Sequence, residues 1–208
     1  MVPITDPRIN NYLMKLSSED DRLILGMERE AKKRDFPIVD RLVGRLLYTL
    51  TKLKNPRLIV ELGSGYGYSA YWFAKALGRG RVVLIDYDEK NSKKAQKVFQ
   101  EADLKRKAEF RVGNALDLAQ EYRNIDILFI DIDKHQYTSA VKSLLPNLNR
   151  NALVIADNAL WYGKVTGKSR DRETLGIKEF NDYMFRHKEF YTTIVPLRDG
   201  VLIAYKVS

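Results

Sequence analysis

The chain has 208 residues, 45% of them hydrophobic and 30% charged, which is the composition of a globular protein and suits a single domain. It contains no cysteine, which excludes disulfides and thiolate catalysis, and only two histidines, which argues against a zinc site. The formal net charge of +9 permits a polyanionic partner and fits equally well a basic surface that binds none. No apolar run approaches the roughly 20 residues of a membrane span and no signal pattern is present, so we expect a cytoplasmic protein without membrane segments.

Helical patterning dominates the first 55 residues, where apolar side chains recur at three- and four-residue spacing. The helices predicted there cover 7–16, 19–34 and 38–53. From residue 57 onward, short β-rich runs alternate with helical segments. The predicted strands cover 57–62, 81–86, 108–112, 125–130 and 152–156, and the predicted helices cover 68–78, 88–102, 115–122 and 134–148. Such alternation indicates parallel strands joined by helical crossovers, which is a doubly wound α/β sheet.

The C-terminal part departs from this alternation. A helix is predicted over 172–187, and two β-rich runs, 190–197 and 201–206, flank the sequence Arg198-Asp199-Gly200. A short connection containing Asp-Gly between β-type runs is a strong hairpin signal, so the last two strands should be antiparallel to each other. We therefore expect one domain over 1–208, with N-terminal helices in 1–55 and a mostly parallel seven-stranded sheet in 56–208.

The stretch from Glu61 to Ser69 contains three glycines between the first predicted strand and the helix that follows. A glycine-rich turn at a helix N-terminus lets the backbone approach a nucleotide-like ligand closely, although any tight turn can use glycines. No Lys-Ser or Lys-Thr pair follows these glycines, so a phosphate-binding P-loop is not supported.

Two acidic side chains specify the ligand further. Glu61 ends the first predicted strand, where a carboxylate suits a cationic ligand and would repel a pyrophosphate. Asp86 ends the second predicted strand, where it can accept hydrogen bonds from ribose hydroxyls. Together the two acids predict an adenosine-type cofactor and favour S-adenosylmethionine over NAD.

Acidic and amide side chains also follow the fourth and fifth predicted strands. Asp131 comes directly after strand 125–130, and Asp157 and Asn158 come directly after strand 152–156. Because ligands of open α/β sheets bind beyond the carboxyl ends of the strands, these side chains should converge there. Oxygen ligands without Cys or His suit Mg²⁺, Mn²⁺ or Ca²⁺, whereas the alternative is that each acid only caps a helix. Beside a cofactor turn, the metal interpretation is favoured.

Lys134 follows Asp131 by three residues, at the point where the chain turns into the next helix. Beside a metal and a bound anion this lysine could act as a base or position a hydroxyl group. Considered alone, it would be an exposed surface lysine, so its interpretation depends on its acidic neighbours.

These motifs together resemble those of a known family. The order Glu-x-Gly-x-x-x-Gly-Tyr-Ser, an acid after the second strand, Asp-x-Asp-Lys-x-x-Tyr and Asp-Asn-x-Leu-Trp is similar to that of the cation-dependent O-methyltransferases, which include catechol and caffeoyl-CoA O-methyltransferases. The resemblance covers nearly the whole chain, from Phe36 to Gly200. It implies a Rossmann-like class I methyltransferase fold with extra N-terminal helices and a homodimer formed through those helices.

The resemblance also implies a role for each matching side chain. Lys134 matches the general base, and Asp131 is implied as the second catalytic residue. Asp86 is implied to bind the ribose and Ala115 to flank the adenine. The implied metal ligands are Asp131, Asp157 and Asn158. The implied S-adenosylmethionine site consists of Val39, Glu61, Gly63, Ser69, Asp86, Ala115, Asp131 and Asp133.

The implied metal ligands also bear on the methyl acceptor. We expect a small hydroxylated aromatic with two neighbouring oxygens, such as a catechol, because a metal with three protein ligands leaves adjacent positions open. The chain departs from the plant relatives after Trp161, where Tyr162 precedes a basic loop over 163–170 that is either a solvated mobile segment or a substrate lid.

Other functions remain alternatives at this point. The basic loop and the net charge favour wobble 5-hydroxyuridine in tRNA as a different methyl acceptor. A non-catalytic cofactor-binding module is disfavoured because the ligand set and Lys134 are intact. A NAD-dependent dehydrogenase is disfavoured by Glu61 in the turn and by the metal ligands.

Overall fold

The structure is a computed structural model that describes residues 4–207. The helices are α1 (Pro7–Leu16), α2 (Arg22–Arg34), α3 (Arg41–Lys54), α4 (Tyr68–Ala76), α5 (Glu89–Glu101), α6 (Ala115–Ala119), α7 (Tyr137–Leu144) and α8 (Arg172–Arg186). The strands are β1 (Leu58–Leu62), β2 (Arg81–Asp86), β3 (Ala108–Val112), β4 (Ile125–Ile130), β5 (Leu148–Ala156), β6 (Phe190–Val195) and β7 (Val201–Lys206). Within this part of the chain, no helix combines the length and apolarity needed to cross a bilayer.

The described strands form one seven-stranded sheet in the order β3-β2-β1-β4-β5-β7-β6. Strands β1 to β5 are parallel, and β7 is antiparallel to both β5 and β6. The predicted mostly parallel sheet with an antiparallel C-terminal hairpin is therefore confirmed. The chain runs outwards from β1 to β3 and then returns to β4 on the other side of β1. This reversal leaves a crevice beyond the carboxyl ends of β1 and β4, which is where ligands bind in such sheets.

Helices cover both faces of the sheet. Successive residues of β1 point to opposite faces, so Val60 packs in one core with side chains of α7 and α8, while Ile59 packs in the other with side chains of α2 to α5. Both residues are fully buried. Burial on both faces explains why these strands are nearly continuous apolar runs. The N-terminal helices α2 and α3 contribute side chains to the second of these cores.

Aspartate caps determine where α2 and α3 begin. We predicted starts at residues 19 and 38, but α2 begins at Arg22 and α3 at Arg41. The Asp21 carboxylate accepts from the N–H of Leu23 at 2.9 Å, and the Asp40 carboxylate caps α3 in the same way. Because α3 begins late, residues 36–39 are not helical, and Phe36 lies against the glycine-rich turn with its ring centre 5.0 Å from that of Tyr66.

The helix predicted over 134–148 is present, but both of its predicted ends are wrong. Lys134–Gln136 and Leu145–Asn147 are 3₁₀ turns on either side of α7, and β5 begins at Leu148 instead of residue 152. Pro146, which lacks a backbone N–H, lies in the second of these turns and cannot continue the α-helical hydrogen bonding. In the first of these turns, the N–H of Lys134 donates to the Glu173 side chain of α8.

Candidate active site

A cavity of about 810 Å³ opens beyond the carboxyl ends of β1, β2 and β4. Its walls bring together every site residue predicted from the sequence except Glu61. Those residues are Val39, Gly63, Ser69, Asp86, Ala115, Asp131, Asp133, Lys134, Asp157 and Asn158. The volume is that of a site for a cofactor-sized ligand.

The glycine-rich turn forms the floor of one half of the cavity. Gly63 has φ +81, and a Cβ atom there would lie 2.2 Å from the Asp131 carbonyl oxygen, so no larger residue fits. Asp86 accepts from the N–H of Gly65 at 2.8 Å and from the N–H of Asp88 at 2.9 Å. A carboxylate accepts up to about four hydrogen bonds, so Asp86 keeps capacity for ribose hydroxyls. This half of the cavity therefore fits a nucleoside.

Glu61 lies beneath the cavity rather than in its wall. It is fully buried, one carboxyl oxygen accepts from the hydroxyl of Ser69, and the other has no hydrogen-bond partner among the described residues. Burial chiefly, and then the nearby charges of Asp131 and Asp86, raise the Glu61 pKa to about 8. Ser69, which donates to Glu61, does line the cavity and so connects the buried carboxyl group to it.

Glu61→Gln should change how stability depends on pH. The folded-state pKa of Glu61, about 8, lies above its ordinary 4.5. Its contribution to stability is therefore fully present below about pH 4.5 and is lost as the pH rises to about 8, by about 1.4 kcal/mol per pH unit. The glutamine side chain does not titrate. The free energy of unfolding of the variant should therefore rise relative to that of the wild type between about pH 4.5 and pH 8. Urea unfolding of both proteins at several pH values, without cofactor, measures the difference. A constant difference would contradict the prediction.

The Lys134 side chain is held on the other half of the cavity by three oxygen atoms. Its Nζ lies 3.0 Å from Asp131 Oδ1, 2.8 Å from the Tyr137 hydroxyl and 3.1 Å from the Ile132 carbonyl oxygen. The ammonium group also lies 5.6 Å from the centre of the Trp161 ring. Lys134 is only 6% exposed, so its amine has a fixed position at the wall. The alternative of a solvated surface lysine does not fit this burial.

Asp157 and Asn158 extend this wall from the end of β5. Asp157 is 1% exposed, and its Oδ2 accepts from Arg198 at 3.0 Å. Its Oδ1 is buried without a hydrogen-bond partner among the described residues. Burial first, and then the charge of Asp131, raise the pKa of Asp157. A buried oxygen without a partner, next to a second carboxylate and an amide, fits a hard divalent cation.

The donor set consists of two carboxylates and one amide, not of three acids. Residues 4–207 contain no cluster of three or more His, Cys, Asp or Glu side chains that could hold a metal ion. A cation bound by Asp131, Asp157 and Asn158 would therefore keep part of its coordination for other oxygens, as Mg²⁺ sites commonly do.

Glu173 of α8 is a site residue that the sequence did not reveal. Its Oε2 accepts from the N–H of Lys134 at 2.5 Å, and its Oε1 contacts His135 Nδ1 at 2.5 Å. Helix α8 approaches this turn so closely that a Cβ atom on Gly176 would lie 2.4 Å from the His135 Cα. Glu173 thereby fixes the backbone that carries Lys134. Its nearest sequence signal is a position in the first turn of a helix, which is common to many glutamates.

Two aromatic side chains close the outer side of the cavity. Trp161 and Tyr162 both have left-handed backbone conformations, with φ 47 and 54, and their ring centres lie 5.4 Å apart. Lys164, in the basic loop, lies 5.7 Å from the centre of the Trp161 ring. The loop therefore begins at the rim of the cavity. A flat aromatic molecule could stack beside the indole while remaining close to Asp157 and Lys134.

Known proteins are similar to this chain over nearly its whole length. A model of the O-methyltransferase family matches residues 14–207. A catechol O-methyltransferase from Niastella koreensis is 29% identical over 210 residues, which cover 94% of this chain and 95% of the relative. The matches include the N-terminal helices as well as the sheet.

Solved structures are similar over the same range. A methyltransferase from Geobacter sulfurreducens is 40% identical with a TM-score of 0.88, and the similarity covers 100% of both chains. An O-methyltransferase from Bacillus cereus, solved in complex with SAH, is 26% identical with a TM-score of 0.86, covering 96% of this chain and 97% of that one. The fold around the cavity is thus shared with proteins that transfer methyl groups.

Proposed function

Since the chain belongs to the O-methyltransferase family, we propose that it transfers a methyl group from S-adenosylmethionine to a hydroxyl of a small catechol-like aromatic, with the help of Mg²⁺ or a similar cation. The observation that carries this proposal is the convergence of Asp131, Asp157, Asn158 and Lys134 on one wall of the cavity. A carboxylate oxygen of Asp157, buried without a partner among the described residues, supports the cation in particular.

Each half of the cavity has a distinct role in this proposal. The glycine-rich turn and Asp86 hold the nucleoside of the cofactor, with Ala115 beside the adenine. Asp131 and Asp133 lie towards the methionine end, where their charge suits a sulfonium. When bound, S-adenosylmethionine supplies the methyl group, and the cation supplies a Lewis acid that favours the ionised form of the attacking hydroxyl.

The residues of the outer half position and deprotonate the acceptor. Asp131, Asp157 and Asn158 hold the cation, and Trp161 places the aromatic ring. In its neutral amine form Lys134 takes up the hydroxyl proton and becomes the ammonium that donates to Asp131, from which its nitrogen lies 3.0 Å. Holding the oxygen in line with the methyl carbon supplies a further entropic advantage of up to about 7–11 kcal/mol in favourable models.

The second candidate acceptor is hydroxyuridine in tRNA, and one feature favours it. Lys164 lies at the rim of the cavity, 5.7 Å from the centre of the Trp161 ring, and Lys168 and Arg170 follow in the same loop. A polyanion could reach the cavity across these side chains. A small acceptor does not need to contact these basic side chains to enter the cavity.

Salt dependence separates the two acceptors. Labelled methyl transfer to catechol and to hydroxyuridine-containing tRNA should be measured at low and physiological salt. We expect catechol to be labelled with little salt effect, and a variant with Lys164, Lys168 and Arg170 all replaced by Ala to lose little activity. Transfer to tRNA would instead fall steeply with salt, because phosphate contacts release counterions.

The matched control removes three exposed charges elsewhere, namely Lys52, Lys105 and Arg106. These precede β1 and β3 and so lie at the amino ends of the strands, away from the cavity. Labelling of tRNA alone, crippled by the loop variant and not by this control, would contradict the catechol proposal.

The proposed enzyme is a homodimer formed through its N-terminal helices. On α1, Ile9, Tyr12 and Leu16 are 54%, 61% and 63% exposed, which supports an apolar contact surface there. Analytical ultracentrifugation at micromolar concentration tests this, and a monomer would exclude it.

A further inference from the structure

The turn between the last two strands brings two side chains of opposite charge to the proposed cation site. Strand β7 lies next to β5, with Leu202 paired to Ala156, so the turn before β7 lies beside the residues that follow β5. Arg198 and Asp199 lie in this turn, and Arg198 has a left-handed backbone conformation with φ 53. Such a conformation is uncommon for a residue with a long side chain and indicates that surrounding contacts hold it.

Asp199 determines which way the amide of Asn158 faces. Its Oδ2 accepts from Asn158 Nδ2 at 3.0 Å. An ionised carboxylate can only accept, so this contact requires the NH₂ group of the amide on that side and turns the Asn158 Oδ1 away. The other Asp199 oxygen accepts from the N–H of Tyr162, and Asp199 is only 4% exposed. The carboxylate therefore has a fixed position, and the amide oxygen is the atom that a hard cation requires.

Arg198 contacts the same site with the opposite charge. Its guanidinium donates to Asp157 Oδ2 at 3.0 Å, while Lys134 donates to Asp131 at 3.0 Å. Each carboxylate of the proposed site thus has a cationic partner from the protein. The Arg198 side chain is 29% exposed, whereas that of Asp157 is 1% exposed. Arg198 therefore has room to turn towards solvent, and Asp157 does not.

We infer that this turn sets the cation affinity of the site through two opposing contacts. Asp199 is a positioning residue that holds the Asn158 amide oxygen towards the cation. Arg198 is a tethered competitor that shares Asp157 with the cation and weakens its binding. This inference rests on the proposed function, because it takes Asp131, Asp157 and Asn158 as the cation ligands.

Titration of the full-length chain with Mn²⁺ alone, followed by the electron paramagnetic resonance signal of free Mn²⁺, tests both contacts. Asp199→Asn can donate to the amide oxygen and lets Asn158 turn over, so Mn²⁺ affinity should fall by about 10- to 100-fold, as for other contacts that orient metal ligands. Arg198→Gln removes a positive charge next to Asp157, so Mn²⁺ affinity should rise by at least about threefold. Arg198→Lys keeps the charge and should bind nearly as the wild type does.

Two matched controls separate these effects from general damage. Asp171→Asn makes the same change at an exposed capping carboxylate, which accepts from the N–H of Thr174 at the start of α8, and should leave Mn²⁺ affinity unchanged. Arg186→Gln removes an arginine whose side chain is 81% exposed and should also change nothing. Asp199→Ala replaces Asp199→Asn if thermal unfolding shows that the asparagine variant is not folded, and it should lose affinity in the same way.

Different results would contradict the role of Asp199 and the role of Arg198. Equal Mn²⁺ affinity in Asp199→Asn and Asp171→Asn would overturn the positioning role, and unchanged or weaker affinity in Arg198→Gln would overturn the competition. If the wild type bound no Mn²⁺, or bound it no more tightly than Asp157→Ala does, the proposed function would have no cation site. The inference would then be wrong as well. Affinity that depends on Asp157 but not on the turn would overturn the inference alone.

Discussion

Lys134→Met is expected to lower kcat by about 10²- to 10⁴-fold, the usual contribution of a positioned general base. Methionine retains an unbranched side chain in a site that is 6% exposed, so the wall should remain packed. It removes the amine that lies 3.0 Å from Asp131, and no other described lysine lines the cavity. Binding of S-adenosylhomocysteine should change little, because the glycine-rich turn and Asp86 are untouched. Single-turnover methyl transfer and calorimetry measure the two quantities.

Lys142→Met is the matched control for this change. Lys142 lies on α7, and its ammonium group contacts the Tyr183 ring at 5.1 Å, outside the cavity. Its replacement should leave kcat unchanged. If Lys134→Met kept the wild-type kcat, the lysine would have no role in removing the proton.

Gly63→Ala is expected to destabilise the fold and to abolish cofactor binding. A Cβ atom at this position would lie 2.2 Å from the Asp131 carbonyl oxygen, and the backbone φ is +81. A left-handed conformation costs an L-residue about 1–2 kcal/mol, and relieving the overlap must also move β1 and β4 apart at the cavity floor. Thermal unfolding and calorimetry with S-adenosylhomocysteine measure the two effects.

Gly26→Ala makes the same chemical change where the structure has room for it. Gly26 lies within α2, and a Cβ atom there would meet nothing within 4 Å. Alanine should therefore stabilise the helix by up to about 1 kcal/mol. Comparable melting temperatures and comparable cofactor affinities for the two variants would show that the contact between Gly63 and Asp131 is not what shapes the cavity floor.

The sheet could be predicted because its central strands β1, β2 and β4 are buried on both faces. The predicted strands 81–86 and 125–130 match β2 and β4 to the residue, since each is a short apolar run bounded by polar or glycine residues. Because the ends of these strands were predicted correctly, the acids there could be placed at the carboxyl edge of the sheet. To predict that Asp131, Asp157 and Asn158 lie close together, only the order of the strands in the sheet was needed in addition.

Contacts made by α8 and by the last hairpin could not be predicted in the same way. Glu173 contacts the backbone of Lys134 across 39 residues, and Asp199 contacts Asn158 across 41. Both contacts depend on which helix packs on which turn and on β7 lying between β5 and β6. The Asp-Gly signal identified the hairpin correctly, but the same aspartate also orients a side chain of the site, which no local pattern indicates.

The ends of the predicted helix over 134–148 have a related explanation. Apolar spacing continues across the whole segment, but the N–H groups of Lys134 and His135 are directed to Glu173. Strand β5 begins at Leu148 because it pairs with Ile125 of β4. Tertiary partners therefore decide both ends of this element.

The proposed activity of this cavity is cation-dependent methyl transfer to a vicinal diol. The most direct measurement follows label from S-adenosylmethionine into catechol, for the purified wild type, first with EDTA and then after Mg²⁺ is added in excess. We expect no transfer in EDTA and full recovery with Mg²⁺, with binding of S-adenosylhomocysteine the same in both conditions. Undiminished transfer to catechol in EDTA would contradict the proposed activity.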